Sequence, residues 1–268
     1  MGLSATAREL ATEALFLYGT SLALILEGDS DRLVLSAFAE TQGLTFLVAN
    51  SKSTALEASR IVAKDDALAS KSAHIAVLVD RDDDRTSGWD GQVLRTEGRD
   101  LDAELAALPG VLEKVIRSVH RVSEKSRLLE LANSALKHAH LRRAVRETSF
   151  DLGLGLNVDR LDVKASRLAV SDLTAAADAL GVTMGREKFL SHLEAAFSRP
   201  PSISQCCGHD LHLIVSWGAR SFGRDQVQSN FMVAIDSAQC FSPPTGRALS
   251  DWATKNGAPI DTFIEHAA

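Results

Sequence analysis

Three short apolar runs punctuate the first third of the chain: Ser21 to Leu26 (SLALIL), Leu44 to Ala49 (LTFLVA) and Ala73 to Val79 (AHIAVLV). They lack the polar/apolar alternation of a half-exposed strand, so each reads as a strand buried on both faces. Between them the apolar positions recur at helical spacing. Asp29, Ser30 and Asp31 offer N-cap side chains ahead of Leu33, Val34 and Phe38, and Asn50-Ser51 caps a second helix with Leu56, Ile61 and Val62 on one face. Gln92 to Thr96 reads as a fourth, shorter strand. Strands alternating with amphipathic helices require crossover connections, which predicts an α/β fold with a mostly parallel sheet flanked by helices.

From about Leu101 the pattern changes to long helical stretches without a buried strand. Helices are predicted over Glu124 to Val145, Asp172 to Leu180, Glu187 to Phe197, Asp210 to Phe222, Val227 to Phe241 and Thr245 to Lys255. Arg199-Pro200-Pro201 and Ser242-Pro243-Pro244 supply breaks, because proline removes a backbone donor and clashes with the preceding turn. The predicted organisation is an α/β domain over residues 18–110 followed by a mainly α-helical region over 111–268. There is no internal repeat, and no obvious linker divides the chain.

Composition narrows the function classes. Of 268 residues, 45% are hydrophobic and 24% charged, the balance of a globular chain with a large core. No run reaches the ~18 to 20 apolar residues of a membrane span, and the N-terminus lacks the pattern of a secretory leader, so no membrane partner and a cytoplasmic location are expected. Cys206, Cys207 and Cys240 suit neither a disulfide framework nor a paired zinc site. The formal charge of -6, from 29 Lys and Arg against 35 Asp and Glu, leaves no global basic field for nucleic acid. The predicted helix over 124–145 and its end nevertheless carry Lys125, Arg127, Lys137, Arg142, Arg143 and Arg146, a face that could follow a phosphate backbone or simply be solvated.

The candidate chemistry lies at the strand ends. Ligands of parallel sheets bind beyond the carboxyl ends of the strands. Glu27 ends the first run and Asp31 follows four residues on; Asp80 ends the third and Asp82 follows two residues on. If the first and third strands are neighbours, these carboxylates come within reach of one hard divalent cation, which prefers oxygen ligands. A second acidic stretch, Arg99-Asp100-Leu101-Asp102-Ala103-Glu104, is either favourable charge in a helix's first turn or a source of ligands for a second metal. Lys52 opens a helix at a strand's carboxyl end, where phosphate is also favoured.

Leu26-Glu27-Gly28-Asp29-Ser30-Asp31 together with Val79-Asp80-Arg81-Asp82 resembles the TOPRIM domain of topoisomerases, primases and nucleases of the overcoming-lysogenisation-defect type. Asp31 is similar to the nuclease branch. Asn50-Ser51-Lys52-Ser53, Asp100 to Glu104 and Gly208-His209-Asp210-Leu211 look like a compact bacterial group that includes the effector nuclease of the PARIS phage-defence system. The TOPRIM resemblance spans roughly residues 20–105. It implies a Rossmann-like sheet and an Mg²⁺-dependent endonuclease, with Mn²⁺ as an alternative ion, cutting DNA or RNA, tRNA included, in antiviral defence.

The same resemblance implies that Glu27, Asp80 and Asp82 are catalytic metal ligands, and that Asp31, Asp102 and Glu104 complete one or two sites. Lys52 and His209 are implied to meet phosphate, although relatives often carry lysine where this chain has His209. The resemblance implies an ABC-type ATPase partner, which would be a separate protein because this chain has no phosphate-binding Gly-x-x-x-x-Gly-Lys-Ser/Thr loop; a homodimer is the other partner expectation. The rival reading is a non-catalytic TOPRIM module that binds a nucleotide or regulates such a partner. A phosphatase using Asp-x-Asp as nucleophile is disfavoured, because that motif belongs after a first strand, not a third. A topoisomerase is disfavoured because Tyr18, the one tyrosine, lies just before the first strand.

Overall fold

A computed structural model of the chain describes residues 5–38, 43–64, 71–82, 84, 86–161, 172–217, 219, 223–235 and 237–258. In chain order the first elements are α1 (Ala7–Phe16), β1 (Leu22–Leu26), α2 (Asp29–Phe38), β2 (Leu44–Val48), α3 (Lys52–Lys64), β3 (Ile75–Val79), β4 (Gly88–Asp90), β5 (Val93–Arg95) and α4 (Leu101–Ala106). The strands form one five-stranded sheet in the order β2-β1-β3-β5-β4. β1 pairs in parallel with β2 and β3, β3 pairs in parallel with β5, and β4 is antiparallel to β5. The predicted α/β class and mostly parallel sheet are therefore present.

Every residue of β1 and β3 is buried, as expected of central parallel strands covered on both faces. On one face Ala23, Ile25, Val77 and Val79 pack with Leu10, Ala11 and Ala14 of α1 and with Ala55, Ala58 and Val62 of α3. The small side chains let the two helices lie close on the sheet. α1 escaped the sequence reading, although Thr6 and Glu9 form a capping box: Glu9 N–H donates to Thr6 Oγ1 at 3.2 Å and Thr6 N–H to Glu9 Oε2 at 2.7 Å. β4 escaped it too. It is the outer arm of a hairpin whose loop is Gly91-Gln92, with Gly91 at φ +60°, a left-handed position that favours glycine.

The remaining elements are helical: α5 (Val111–His120), α6 (Lys125–Asp151), α7 (Leu173–Leu180), α8 (Arg186–Phe197), α9 (Gly208–Ser216), α10 (Arg224–Ala234), α11 (Ser237–Cys240) and α12 (Pro244–Lys255). Two predicted helices end early. The one begun at Asp210 stops at Ser216, where Trp217 turns extended at ψ 130°; residues 218 and 220–222 of that prediction lie outside the described residues. The one over 227–241 is divided into α10 and α11.

The chain forms two compact units, residues 1–105 with 235–268, and residues 106–234. The chain first passes from one unit to the other between residues 105 and 106. The C-terminal segment from Ile235, grouped with the helical region by its pattern, belongs with the sheet. There Trp252 Nε1–H donates to Ala73 O at 3.0 Å, and its ring meets Trp89 of β4 at 6.4 Å between centroids.

The helical unit has its own core. Leu141, Ala144 and Val145 of α6 pack with Ala176, Ala177 and Leu180 of α7 and with Phe189 and Leu193 of α8. The basic face read along α6 is largely neutralised: Arg127 pairs with Glu130, Arg143 with Glu147, and Arg142 and Arg146 with Asp210. Burial works against the Asp210 charge, yet the bonds from Arg146 and Arg142 hold its pKa below the usual carboxylate value.

Candidate metal centre

Parallel pairing of β1 with β3 brings together what the sequence separates by some fifty residues. Leu26 is in register with Leu78, so Glu27 and Asp80 leave neighbouring strands at the same end of the sheet. Their contact is direct: Asp80 N–H donates to Glu27 Oε2 at 3.2 Å. Asp31 joins from the first turn of α2, where its Oδ2 accepts the Gly28 N–H at 3.0 Å, the returning half of a capping box.

The turn after β5 closes the other side. Leu101 N–H donates to Asp80 Oδ1 at 3.3 Å, Asp82 N–H to Arg99 O at 2.8 Å, and Arg81 N–H to Thr96 Oγ1 at 2.9 Å. These bonds bind the turn after β3 to the turn carrying Asp100 and Asp102. Asp100 is buried and caps α4, its Oδ1 accepting the Ala103 N–H at 2.7 Å.

The electrostatics are those of crowded negative charge. Burial pushes the Asp80 carboxyl up to about 10, helped by Asp31, Asp100, Glu27 and Asp82. Burial raises Asp31 to about 7, with Glu27 and Asp100 adding to the shift. Asp102 rises to about 8 for the same first reason, with Asp100 and Asp31 next. Glu27 is raised by burial, in part offset by the Asp80 N–H. The carboxylates lift one another, with Lys52 only partly offsetting the effect at Glu27, and crowded negative charge of this kind is what a divalent cation relieves.

Six carboxylates thus interact in one region, Glu27, Asp31, Asp80, Asp82, Asp100 and Asp102, and an all-oxygen donor set suits Mg²⁺ or Mn²⁺. Among the described residues, no three acidic, histidine or cysteine groups form a ready-made cage around one point. The inner oxygens of Glu27, Asp31 and Asp80 are turned instead to backbone N–H groups, as given above.

Asp82 stands at the rim. It is exposed, at φ +52°, a left-handed position in which aspartate is enriched, and its Oδ2 accepts from Lys52 Nζ at 3.1 Å. Lys52 opens α3 where Ser51 Oγ accepts the Thr54 N–H at 3.2 Å, so the predicted cap is in place. The Lys52 ammonium also meets Asp84 at 3.0 Å and Arg81 O at 3.3 Å. Burial alone would lower its pKa, but Asp84 and Asp82 raise it, so Lys52 stays charged.

Two predicted residues have other surroundings. Glu104 is buried, and its Oε1 accepts from Gly98 N–H at 2.8 Å and from the Thr245 hydroxyl at 2.6 Å, while Oε2 is buried without a hydrogen-bond partner. His209 belongs to the helical unit, exposed on the first turn of α9 with its ring 6.4 Å from that of His212. Asp100 was missed as a site residue: it stands in the acidic stretch read from the sequence, but nothing in that stretch separates a cap from a ligand. A cavity of about 490 Å³ opens at the opposite ends of β3 and β5, beside Ile75, Gln92, Trp89 and Trp252, and none of the predicted site residues lines it.

These features define an α/β protein with an acidic centre at the carboxyl ends of parallel strands. No protein-family model matches the chain, and no curated protein is significantly similar to it.

Proposed function

We propose that the chain is a TOPRIM-type endonuclease that hydrolyses phosphodiester bonds of DNA or RNA with Mg²⁺, as an effector of antiviral defence. The observation that supports this most is the meeting of Glu27 and Asp80 at the ends of adjacent parallel strands, with Asp31, Asp100 and Asp102 around them. Glu27, Asp80 and Asp102 are the ligands proposed for the ion, with Asp31 and Asp82 at its edge. When bound, Mg²⁺ supplies charge that polarises a phosphodiester oxygen and acidifies water.

The chain's own groups would do the rest. Glu27, its pKa raised by burial, is suited to take up a proton. Lys52, cationic between Asp82 and Asp84, can exchange a carboxylate for a substrate phosphate and offset the charge that develops on it. The backbone donors that hold Asp80 and Asp31 orient them before the substrate arrives.

The test is purified protein with plasmid DNA and with total tRNA, each in Mg²⁺, Mn²⁺ or EDTA, beside Glu27→Gln and Asp80→Asn. Cleavage that needs metal and falls at least 10²-fold in both folded variants is the expected result. The substrate cut tells DNA from RNA. Mg²⁺ binding without cleavage of either substrate would replace this reading by that of a nucleotide-binding or regulatory TOPRIM module working beside an ATPase.

A further inference from the structure

The acidic centre is held from behind by a residue some 140 positions away. Thr245, fully buried in the first turn of α12, accepts the Glu97 N–H at 3.0 Å and donates its hydroxyl to Glu104 Oε1 at 2.6 Å. The same Glu104 oxygen accepts the Gly98 N–H. Two consecutive amides of the turn between β5 and α4 are thereby satisfied by one threonine–glutamate pair. This is the turn that bonds the Asp80 carboxylate through Leu101 N–H and carries Asp100 and Asp102.

The anchor itself is firm. At Gly246 an added Cβ would lie 2.7 Å from Phe241 Cα and 2.9 Å from Cys240 O, so the start of α12 is in backbone contact with the segment before it. Farther along α12, Leu249 and Ala253 are buried and Trp252 bonds Ala73 O. α12 therefore stays in place without help from Thr245, and the Thr245 hydroxyl can hold the turn against it.

We propose that Thr245 and Glu104 are positioning residues of the metal centre: Glu104 acts as a clasp between the 97–98 turn and α12, and the clasp sets where Asp100 and Asp102 stand relative to Asp80. The proposal rests on the metal reading above, and it assigns Glu104 to holding the ligands in place of binding the ion. Groups that orient metal ligands from behind typically cost 10- to 100-fold in metal affinity when removed.

The test compares Thr245→Val, which keeps the shape and loses the hydroxyl, with Thr245→Ser, which keeps the hydroxyl, and with Leu249→Ala, which weakens α12 packing away from the clasp. Mg²⁺ affinity is read by calorimetry, and amide exchange of residues 96–104 is read in metal-free protein. The expected result is a roughly 10- to 100-fold loss of affinity and faster exchange of that turn in Thr245→Val, near-complete recovery in Thr245→Ser, and unchanged affinity in Leu249→Ala. Equal affinity of Thr245→Val and wild type, or an equal loss in Leu249→Ala, would overturn the clasp. A wild-type chain that binds no Mg²⁺ would overturn the metal reading instead, a failure visible before any variant is made.

Discussion

At the scale of single residues, Asp80 carries the tension between stability and chemistry. Its folded pKa of about 10 lies above the ordinary 3.8, so the metal-free native state keeps a proton that the unfolded chain releases. The stability that depends on this proton is fully present below about pH 4 and is lost as pH rises towards 10. Metal binding must expel such protons, so Mg²⁺ affinity should rise with pH over the same range. Asp80→Asn is neutral beside Asp31, Asp100 and Glu27 without having to hold a proton, and it keeps an acceptor for Leu101 N–H. It should stabilise the metal-free protein by about 1 to 2 kcal/mol at pH 8 and abolish tight Mg²⁺ binding. Denaturant midpoints and calorimetry check both halves, and a destabilised variant that still binds Mg²⁺ would refute the picture. Glu27 and Asp80 were legible in the sequence because each ends a buried run. Asp100 was not, since a cap and a ligand look alike in one dimension, and Thr245 was not, since its partners lie some 140 residues away.

At the scale of elements, legibility followed the strength of the local pattern. β1 and β3 stood out because a central parallel strand must be apolar on both faces. β4 did not, because Gly88-Trp89-Asp90 is too short for alternation and is defined by its pairing with β5. α9 begins at Gly208, two residues before the predicted start, and ends at Ser216, with extended Trp217 as its C-cap. Within it His212 is buried, its ring 4.9 Å from Phe231 of α10, and burial pushes its pKa down to about 3, with His209 and Arg224 adding to the shift. Here the sign is opposite to that of Asp80. The unfolded chain takes up a proton near pH 6.5 that the folded chain refuses, so stability is whole above 6.5 and falls steadily down to about pH 3. At 1.36 kcal/mol per pH unit the loss is about 2 kcal/mol at pH 5. His212→Phe should remove that slope even if it alters stability at pH 8, and denaturation midpoints of wild type and variant at pH 5, 6.5 and 8 decide it. Parallel pH profiles would show that His212 is protonated in the folded state.

At the scale of the whole chain, sequence order and spatial order part company at Ile235. The last segment belongs with the sheet, where Thr245 bonds the β5–α4 turn, Trp252 bonds Ala73 O ahead of β3 and meets Trp89 of the hairpin, and Leu249 and Ala253 are buried. The helical unit has a core cluster of its own, drawn from Leu141 to Ala196. A chain ending at Ala234 should therefore lose the sheet unit selectively. Without Thr245 the Glu104 carboxylate, already carrying one unpartnered buried oxygen, keeps only the Gly98 N–H, and the Glu97 N–H loses its acceptor; a buried polar group left bare costs about 1 to 3 kcal/mol. Loss of Leu249 and Ala253 removes apolar cover as well, and the sum is comparable with the whole stability of a small domain. Limited proteolysis should then cut the truncated chain within residues 5–105 and spare a fragment close to 106–234, whereas the full chain resists at both. Mg²⁺ should protect residues 5–105 in the full chain and give no protection in the truncated one. Equal resistance of the two chains across residues 5–105 would mean that the sheet holds its acidic turn without α12, and the clasp would have no work to do.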